Sequence, residues 1–165
     1  MPTARDWAEA YLAQARADLD GARLVNAAVP SVFAMLLQMT FEKFAKAALL
    51  RSGAADVAWA SRTHRAASHM VRAMRLQRAV MAPLGGSLVW HDVLWAVETL
   101  EQIHPSLSQG GPQLEYPWEM PMGNVCWPER DLAIARSLGN PRRNLGTRIL
   151  QFASIFADRF DRIFP

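Results

Sequence analysis

Arginines are concentrated between residues 51 and 78 of this 165-residue chain. Six arginines stand there against one acid, Asp56, so the segment carries a local charge of +5. The rest of the chain has 12 basic and 14 acidic residues, so the net charge of +3 comes from this segment alone. A concentrated positive field attracts polyanions such as nucleic acids. The segment is therefore either a phosphate-binding surface or a solvated helix face.

Helical spacing separates the basic and apolar side chains of this segment. A helix beginning at His64 would place most of the basic side chains on one face and the apolar ones on the opposite face. The apolar face would contain Ala67, Met70, Val71 and Met74. The candidate nucleic-acid-binding residues are Arg62, His64, Arg65, His69, Arg72 and Arg75.

Lysine is rare in this chain, which has sixteen arginines and only Lys43 and Lys46. Codon bias explains a general excess of arginine, but it does not explain why both lysines stand in one segment. Glu42 and Lys46 are four residues apart, in the order that favours an ion pair on a helix. A lysine ammonium is a compact charge on a flexible stem. Together with Gln38, these residues form either a polar network inside the protein or a contact with a nucleotide phosphate.

The elements that position these residues are predicted to be helices. Every long periodic segment has a helical period, and no run of alternating β-branched residues predicts a strand. The predicted helices cover about residues 3–26, 30–52, 64–81, 87–103, 128–138 and the segment from 140 onward, with a polar linker at about 53–62. We expect an all-α fold, an up-and-down four-helix bundle with additional short helices.

Capping and breaking residues support these boundaries. Ser31 is expected to cap the second helix, and Gly53 stands where its C-terminal cap belongs. Thr63 is expected to cap the third helix. The residues expected to end that helix are Pro83, Gly85 and Gly86.

Residues 1–165 are predicted to form a single domain with an irregular, proline-rich loop at about 104–127. A loop of this length is usually functional or packed by its own aromatic side chains. Trp118 and Trp127 could stack on nucleobases, but such residues more often pin a loop to the core.

The composition excludes several classes of protein. An apolar content of 51% with 20% charged residues is typical of a globular chain and not of a disordered tail. The single cysteine, Cys126, cannot form an intrachain disulfide and argues against a cysteine-based zinc site. The four histidines are widely spaced, so we expect neither a metal nor a cofactor. Without an apolar signal core or a membrane-length apolar stretch, we expect a cytoplasmic protein with no membrane contact.

The first two predicted helices resemble the HEPN domain family. The second helix contains Gln38-x3-Glu42-Lys43-x2-Lys46-Ala47-x-Leu49, after a first helix with Tyr11-x3-Ala15-x2-Asp18-Leu19-x2-Ala22. Thr63-His64 is similar to the threonine–histidine entry to that family's third helix. Trp118-Glu119 and Pro128-Glu129 fit the family's carboxyl half, so the resemblance covers most of the chain.

The resemblance implies a helical bundle that often forms a homodimer. Many HEPN members bind or cleave RNA, and many pair with a small nucleotidyltransferase encoded beside them. The resemblance therefore implies a nucleotide- or RNA-binding module, the toxin-like half of a toxin–antitoxin pair with a nucleotidyltransferase as antitoxin. Other members are non-catalytic, so a homodimeric structural adaptor is an alternative.

Catalytic HEPN members carry an arginine followed after four to six residues by a histidine. Histidine can move the 2′-hydroxyl proton and arginine can hold the scissile phosphate, which suffices for metal-free RNA cleavage. Here His69 with Arg62 or Arg65 is the nearest match, and it defines a metal-free endoribonuclease as a further alternative. The segment Arg143-Asn144-x3-Arg148 resembles a degenerate motif, because Arg148 stands where the histidine belongs and cannot act as a general base.

Overall fold

A computed structural model describes residues 1–84 and 87–165 and shows a mostly helical protein, which confirms the predicted all-α class. The helices are α1 Ala4–Val25, α2 Pro30–Arg51, α3 Val57–Arg62, α4 Ala67–Met74, α5 Arg78–Met81, α6 Ser87–Gln102, α7 Pro128–Asp131, α8 Ala133–Leu138 and α9 Leu145–Ile163. Short 3₁₀ turns cover Asn26–Ala28 and Ala82–Leu84. The strands are β1 Trp118–Glu119 and β2 Val125–Cys126.

Local capping fixes the two longest helices. Thr3 accepts a hydrogen bond from the Asp6 amide (3.2 Å) and donates its own amide to the Asp6 carboxylate (2.7 Å), a capping box that begins α1. Gly53 follows α2 with a φ of +68°, and its amide donates to the Leu50 carbonyl. This left-handed turn confirms the predicted cap. The prediction for Ser31 was wrong, because its hydroxyl donates to Glu129 of α7 and Pro30 begins the helix without a side-chain cap.

The predicted helix at 64–81 was wrong in extent. Part of the predicted linker is helical, because Asp56 caps α3 by accepting from the Trp59 amide at 2.7 Å. Thr63 is extended, so the chain turns before α4 begins at Ala67. The apolar face of α4 is nevertheless as predicted, since Ala67, Met70, Val71 and Met74 are all buried. Gly85 and Gly86 lie outside the described residues.

Helix α2 lies at the centre of the core. Its aromatic side chains are buried and meet those of α9, with Phe41 6.0 Å from Phe152 and Phe44 5.1 Å from Phe156 between ring centroids. Helices α1, α4, α6 and α8 also pack against α2. Because α2 is apolar on more than one face, its few polar side chains are forced to pair with groups from its neighbours.

The loop between α6 and α7 contains a small β-hairpin that the sequence pattern did not predict. β1 and β2 are antiparallel, with Trp118 opposite Cys126, and each has only two residues. Trp118 is buried and pins the hairpin to the core, whereas Trp127 is partly exposed. Strands this short have no alternating pattern to detect.

The carboxyl-terminal helices also differ from the prediction, one by a break and the other by a later start. The segment 128–138 is divided into α7 and α8 at Leu132, which is extended. Helix α9 begins at Leu145 because Asn144 is in the left-handed conformation, with a φ of +52°. Among the described residues no single helix is long and apolar enough to cross a membrane, although Arg78–Leu84 joined with Val89–Gln102 across a 110° bend meets that test by length and composition.

Candidate functional site

The basic segment forms an exposed surface around α3 and α4. Arg62 ends α3, Arg65 lies in the turn between the helices, and His69 lies on the outer face of α4; all three side chains are exposed. We call these three residues the α3–α4 basic surface. Arg62 Nε donates to the Ala58 carbonyl at 2.9 Å, which leaves most of its guanidinium free to bind a ligand.

Folding neutralises part of the charge that the sequence concentrates here. Arg51 pairs with Glu9 and, at 3.0 Å, with Asp161. Arg72 pairs with Glu98 of α6. Arg75 lies over the Trp90 ring at 5.0 Å from its centroid. Fewer positive charges are therefore available to a ligand than the sequence count of +5 indicates.

A groove of about 660 Å³ lies beside this surface, between α2 and α4. We call it the α2–α4 groove. Arg65 and His69 line it together with the side chain of Trp59, which is 51% exposed. Its apolar lining includes Ala48, Leu49, Met70, Ala73, Met74 and Phe164. The structure thus brings Arg65 and His69 to one cavity, whereas Arg62 lies outside its lining.

A second polar site is buried around Glu42 of α2. Glu42 Oε1 accepts from Lys46 Nζ at 2.9 Å and faces His64 Nδ1 at 3.1 Å, while Oε2 accepts from Gln38 Nε2 at 2.8 Å. His104 Nε2 lies 3.5 Å from Oε2. We call these five residues the Glu42 cluster. One carboxylate therefore joins α2, the turn before α4 and the loop after α6.

The histidines of the Glu42 cluster are held in defined positions. Their rings stack with centroids 4.2 Å apart. The Ser106 amide donates to His104 Nδ1 at 3.1 Å, which places the proton of a neutral His104 on Nε2, towards Glu42. Lys46 Nζ also donates to the Ser61 carbonyl at 3.1 Å and lies 5.6 Å from the Tyr11 ring centroid.

Glu42, His64 and His104 are ligand types for a divalent cation, and their ligand atoms lie within 4.8 Å of one another. The surrounding contacts oppose such an ion. The Lys46 ammonium already occupies Glu42 Oε1, and a histidine that binds metal through Nε2 needs a proton on Nδ1. His104 Nδ1 instead accepts a hydrogen bond. The arrangement fits a hydrogen-bonded ion pair better than a metal centre.

Burial and pairing shift two pKa values in the Glu42 cluster. Burial alone would raise the pKa of Glu42, but the hydrogen bonds from Lys46 and Gln38 and the nearby positive charges outweigh it, so its pKa lies below the ordinary 4.5. Burial lowers the pKa of His104 below the ordinary 6.5, and this outweighs the attraction of Glu42 and Glu115. The folded protein therefore favours ionised Glu42 and neutral His104.

Stability is expected to fall in acid in two steps. The unfolded chain binds a proton at His104 more readily than the folded one, so stability decreases as the pH falls below 6.5. Protonation of Glu42 in the unfolded chain adds a second loss below pH 4.5. Urea unfolding across this range measures both steps. His104→Gln should remove the upper step, while His91→Gln, at an exposed position, should leave it; an upper step of equal size in both variants would contradict the assignment to His104.

The other lysine of α2, Lys43, lies outside this cluster and pairs with a different carboxylate. Lys43 Nζ donates to Asp18 Oδ2 of α1 at 2.5 Å, and Gln14 donates to Asp18 Oδ1 at 2.9 Å. Asp18 is buried and Lys43 is largely so. The polar residues of α2 that were predicted as one group therefore belong to two separate sites. Gln38, Glu42 and Lys46 belong to the Glu42 cluster, whereas Lys43 bonds Asp18 of α1.

The segment Arg143-Asn144-x3-Arg148 lies at the start of α9. Arg148 pairs with Asp92 of α6, so its guanidinium joins two helices. Arg143 and Asn144 lie in the exposed turn before the helix. This arrangement gives Arg148 a structural partner, and no histidine of the described residues forms a hydrogen bond with these three side chains.

The structure also shows what the sequence pattern missed. Within residues 1–84 and 87–165, no side chain forms a hydrogen bond with the His69 imidazole, whereas His64 faces a carboxylate. His104 and Trp59 were not predicted as site residues, because one lies in an irregular loop and the other in the predicted linker. Helical periodicity relates residues within one helix, so it could not predict that either residue lies near α2.

Comparison of the chain with models of known protein families, with curated proteins and with solved structures finds no match. The α3–α4 basic surface is accessible to a large ligand, and the Glu42 cluster is mostly enclosed.

Proposed function

We propose that the chain is an HEPN-like helical bundle that binds RNA or nucleotide phosphates through the α3–α4 basic surface. The observation that carries this proposal is that Arg62, Arg65 and His69 are exposed on adjacent elements. No carboxylate of the described residues lies within ion-pair distance of these three side chains. Guanidinium groups bind phosphate in two-pronged geometry, and release of counterions favours their contact with RNA.

The contacts of the family-pattern residues support the resemblance. Asp18 and Lys43 are bonded to each other, and Glu42, Lys46 and His64 meet in one cluster. Residues that share a pattern along the sequence are therefore contact partners in space. The four-helix arrangement, the homodimer and a nucleotidyltransferase partner remain part of the proposal.

RNA binding by this surface is expected to depend on both salt and arginine. Replacing Arg62 and Arg65 by glutamate should weaken binding of a short single-stranded RNA by at least about tenfold, because two phosphate contacts are lost. The slope of log K against log salt should fall by roughly 0.7 for each contact removed. Fluorescence anisotropy with a labelled RNA at several salt concentrations measures both effects.

Replacing both Arg142 and Arg143, which are exposed, by glutamate is a matched control, because it changes the net charge by the same amount. Arg142 is exposed near Gly139, which contacts Pro30 at the start of α2, whereas α3 follows the opposite end of that helix. The 22 residues of α2 separate the two places by roughly 33 Å. Equal weakening by the control and the double variant would show only a net-charge effect and would contradict a local site.

A metal-free endoribonuclease is a second candidate, and the structure favours a different base from the one the spacing predicted. His64 Nδ1 faces Glu42 Oε1 at 3.1 Å, so Glu42 can orient the ring and leave Nε2 to accept a proton. The His64 side chain is 27% exposed, and Arg65 is its neighbour in the chain. His69 has no such orienting carboxylate.

Cleavage assays in EDTA distinguish the candidates. If the protein is a ribonuclease, His64→Ala should reduce cleavage by about 10²-fold or more, since a general base contributes 10²–10⁴-fold. His69→Ala removes a side chain of the binding surface but not the base, so it should reduce cleavage far less than His64→Ala. Cleavage that survives His64→Ala would rule out this base, and a protein that neither binds nor cleaves RNA would support the adaptor alternative.

A further inference from the structure

We infer that the α2–α4 groove binds a small amphipathic anion, a molecule with an unbranched alkyl chain and a carboxylate head. The groove's volume of about 660 Å³ lies in the range of small-molecule sites. Side chains of α2 and α4 form its apolar lining, and Arg65 and His69 share the cavity with them. This ligand would be additional to RNA, and the inference does not depend on RNA binding.

The apolar lining selects the body of the ligand. Ser52, one of the few polar residues in the groove, already donates its hydroxyl to the Leu49 carbonyl at 3.2 Å. A nucleobase placed against the apolar part of this lining, away from Thr63 and Gln77, would leave ring nitrogen and carbonyl groups without partners, which is costly. An alkyl chain has no polar atoms to leave unpaired and gains from burial against Met70, Met74 and Phe164.

The Arg65 guanidinium selects the head group. Arg65 and His69 are both exposed, and neither is in an ion pair with a carboxylate of residues 1–84 or 87–165. A guanidinium holds a carboxylate through two parallel hydrogen bonds. A chain that lies along the apolar lining can therefore extend its carboxylate to Arg65. This charge complementarity distinguishes the groove from a simple gap in packing.

Laurate, kept below its micelle concentration, is the probe for this site. Met70 and Met74 line the groove, so ¹³C-methyl methionine NMR should show their signals shifting to saturation as laurate is added. Met120 and Met122 lie on the β-hairpin loop, outside the groove lining, and their signals should not shift. Calorimetry under the same conditions gives the affinity.

Two variants separate the apolar and charged contributions. Ala73 is exposed and lines the groove, so Ala73→Trp should fill the cavity and abolish the shifts. Arg65→Glu should weaken laurate by about tenfold while leaving uncharged 1-dodecanol unaffected. Circular dichroism confirms that each variant is folded. Ala73→Leu, a smaller obstruction, replaces Ala73→Trp if the latter does not fold.

Several results would overturn the inference. Laurate binding that both variants leave unchanged would place the ligand elsewhere. Shifts of Met70 and Met74 with AMP but not with laurate would make the groove a nucleotide site. Shifts that depend on protein concentration without laurate would indicate a second copy of the chain as the occupant. By contrast, RNA binding retained in Ala73→Trp, with laurate binding lost, would support the inference and show that the two proposals concern separate ligands.

Discussion

Replacing Glu42 by glutamine should lower the free energy of unfolding by about 3–5 kcal/mol, because it leaves a buried cation without its counter-charge. The Lys46 side chain is only 6% exposed, and Glu42 is the one carboxylate within ion-pair distance of its ammonium among the described residues. Glutamine preserves the size of the side chain, so the loss reports charge and not packing. Urea unfolding measures it.

Glu98→Gln is the matched control. Glu98 pairs with Arg72 across α4 and α6, but that arginine is about half exposed. Exposed ion pairs contribute at most about 1 kcal/mol, so this variant should be almost as stable as the parent. A loss of unfolding free energy at Glu42 as small as that at Glu98 would mean that water screens the Glu42 cluster. That result would contradict its description as a buried ion pair.

A double variant tests whether Lys46 and Glu42 stabilise each other. Lys46→Met alone leaves Glu42 without its ammonium partner and should also be strongly destabilising. Combining Lys46→Met with Glu42→Gln removes both charges, so the loss should be smaller than the sum of the single losses. Additive losses would show that the two residues do not interact.

The helices that the sequence predicted well are those whose ends are decided locally. Thr3 and Asp6 form a capping box within one turn, and Gly53 supplies the left-handed residue after α2. Apolar spacing then determined which faces of α1, α2 and α9 are buried. None of these features needs a distant part of the chain.

The extent of α4 could not be predicted because its beginning depends on a distant residue. The Ser68 amide donates to Glu101 Oε2 at 2.9 Å, and the Ser68 hydroxyl donates to Oε1 at 3.1 Å. A carboxylate from α6 therefore stabilises the first turn of α4, where Thr63 was expected to be the cap. Only the packing of α6 against α4 makes this contact available.

The Glu42 cluster shows the same limit more clearly. His64 and His104 are 22 and 62 positions from Glu42, lie in a turn and a loop, and have no periodic relation to it. The sequence nonetheless pointed to the right helix, because a lysine in an arginine-rich chain marked a special position. Lys46 is surrounded by the Glu42 carboxylate, the Ser61 carbonyl and the Tyr11 ring, an enclosed space that suits a compact ammonium better than a planar guanidinium.

The other lysine leads to the second large effect. Asp18→Asn should destabilise the protein by about 3–5 kcal/mol, because Lys43 would remain mostly buried without a counter-charge. Asparagine keeps the shape of the side chain and can still accept from Gln14, so the change isolates the charge. If the losses of unfolding free energy in Asp18→Asn and Glu42→Gln are similar, both lysines of α2 are stabilised by buried carboxylates to the same extent.

Asp20→Asn provides the control on the same helix. Asp20 is two residues away, carries the same side chain and pairs with Arg23, but it is 69% exposed where Asp18 is 7% exposed. Its loss should stay below about 1 kcal/mol. Equal effects at the two positions would mean that burial does not decide the strength of these ion pairs. A large effect at Asp18 alone would mean that Lys43 joins α2 to α1 through a buried ion pair.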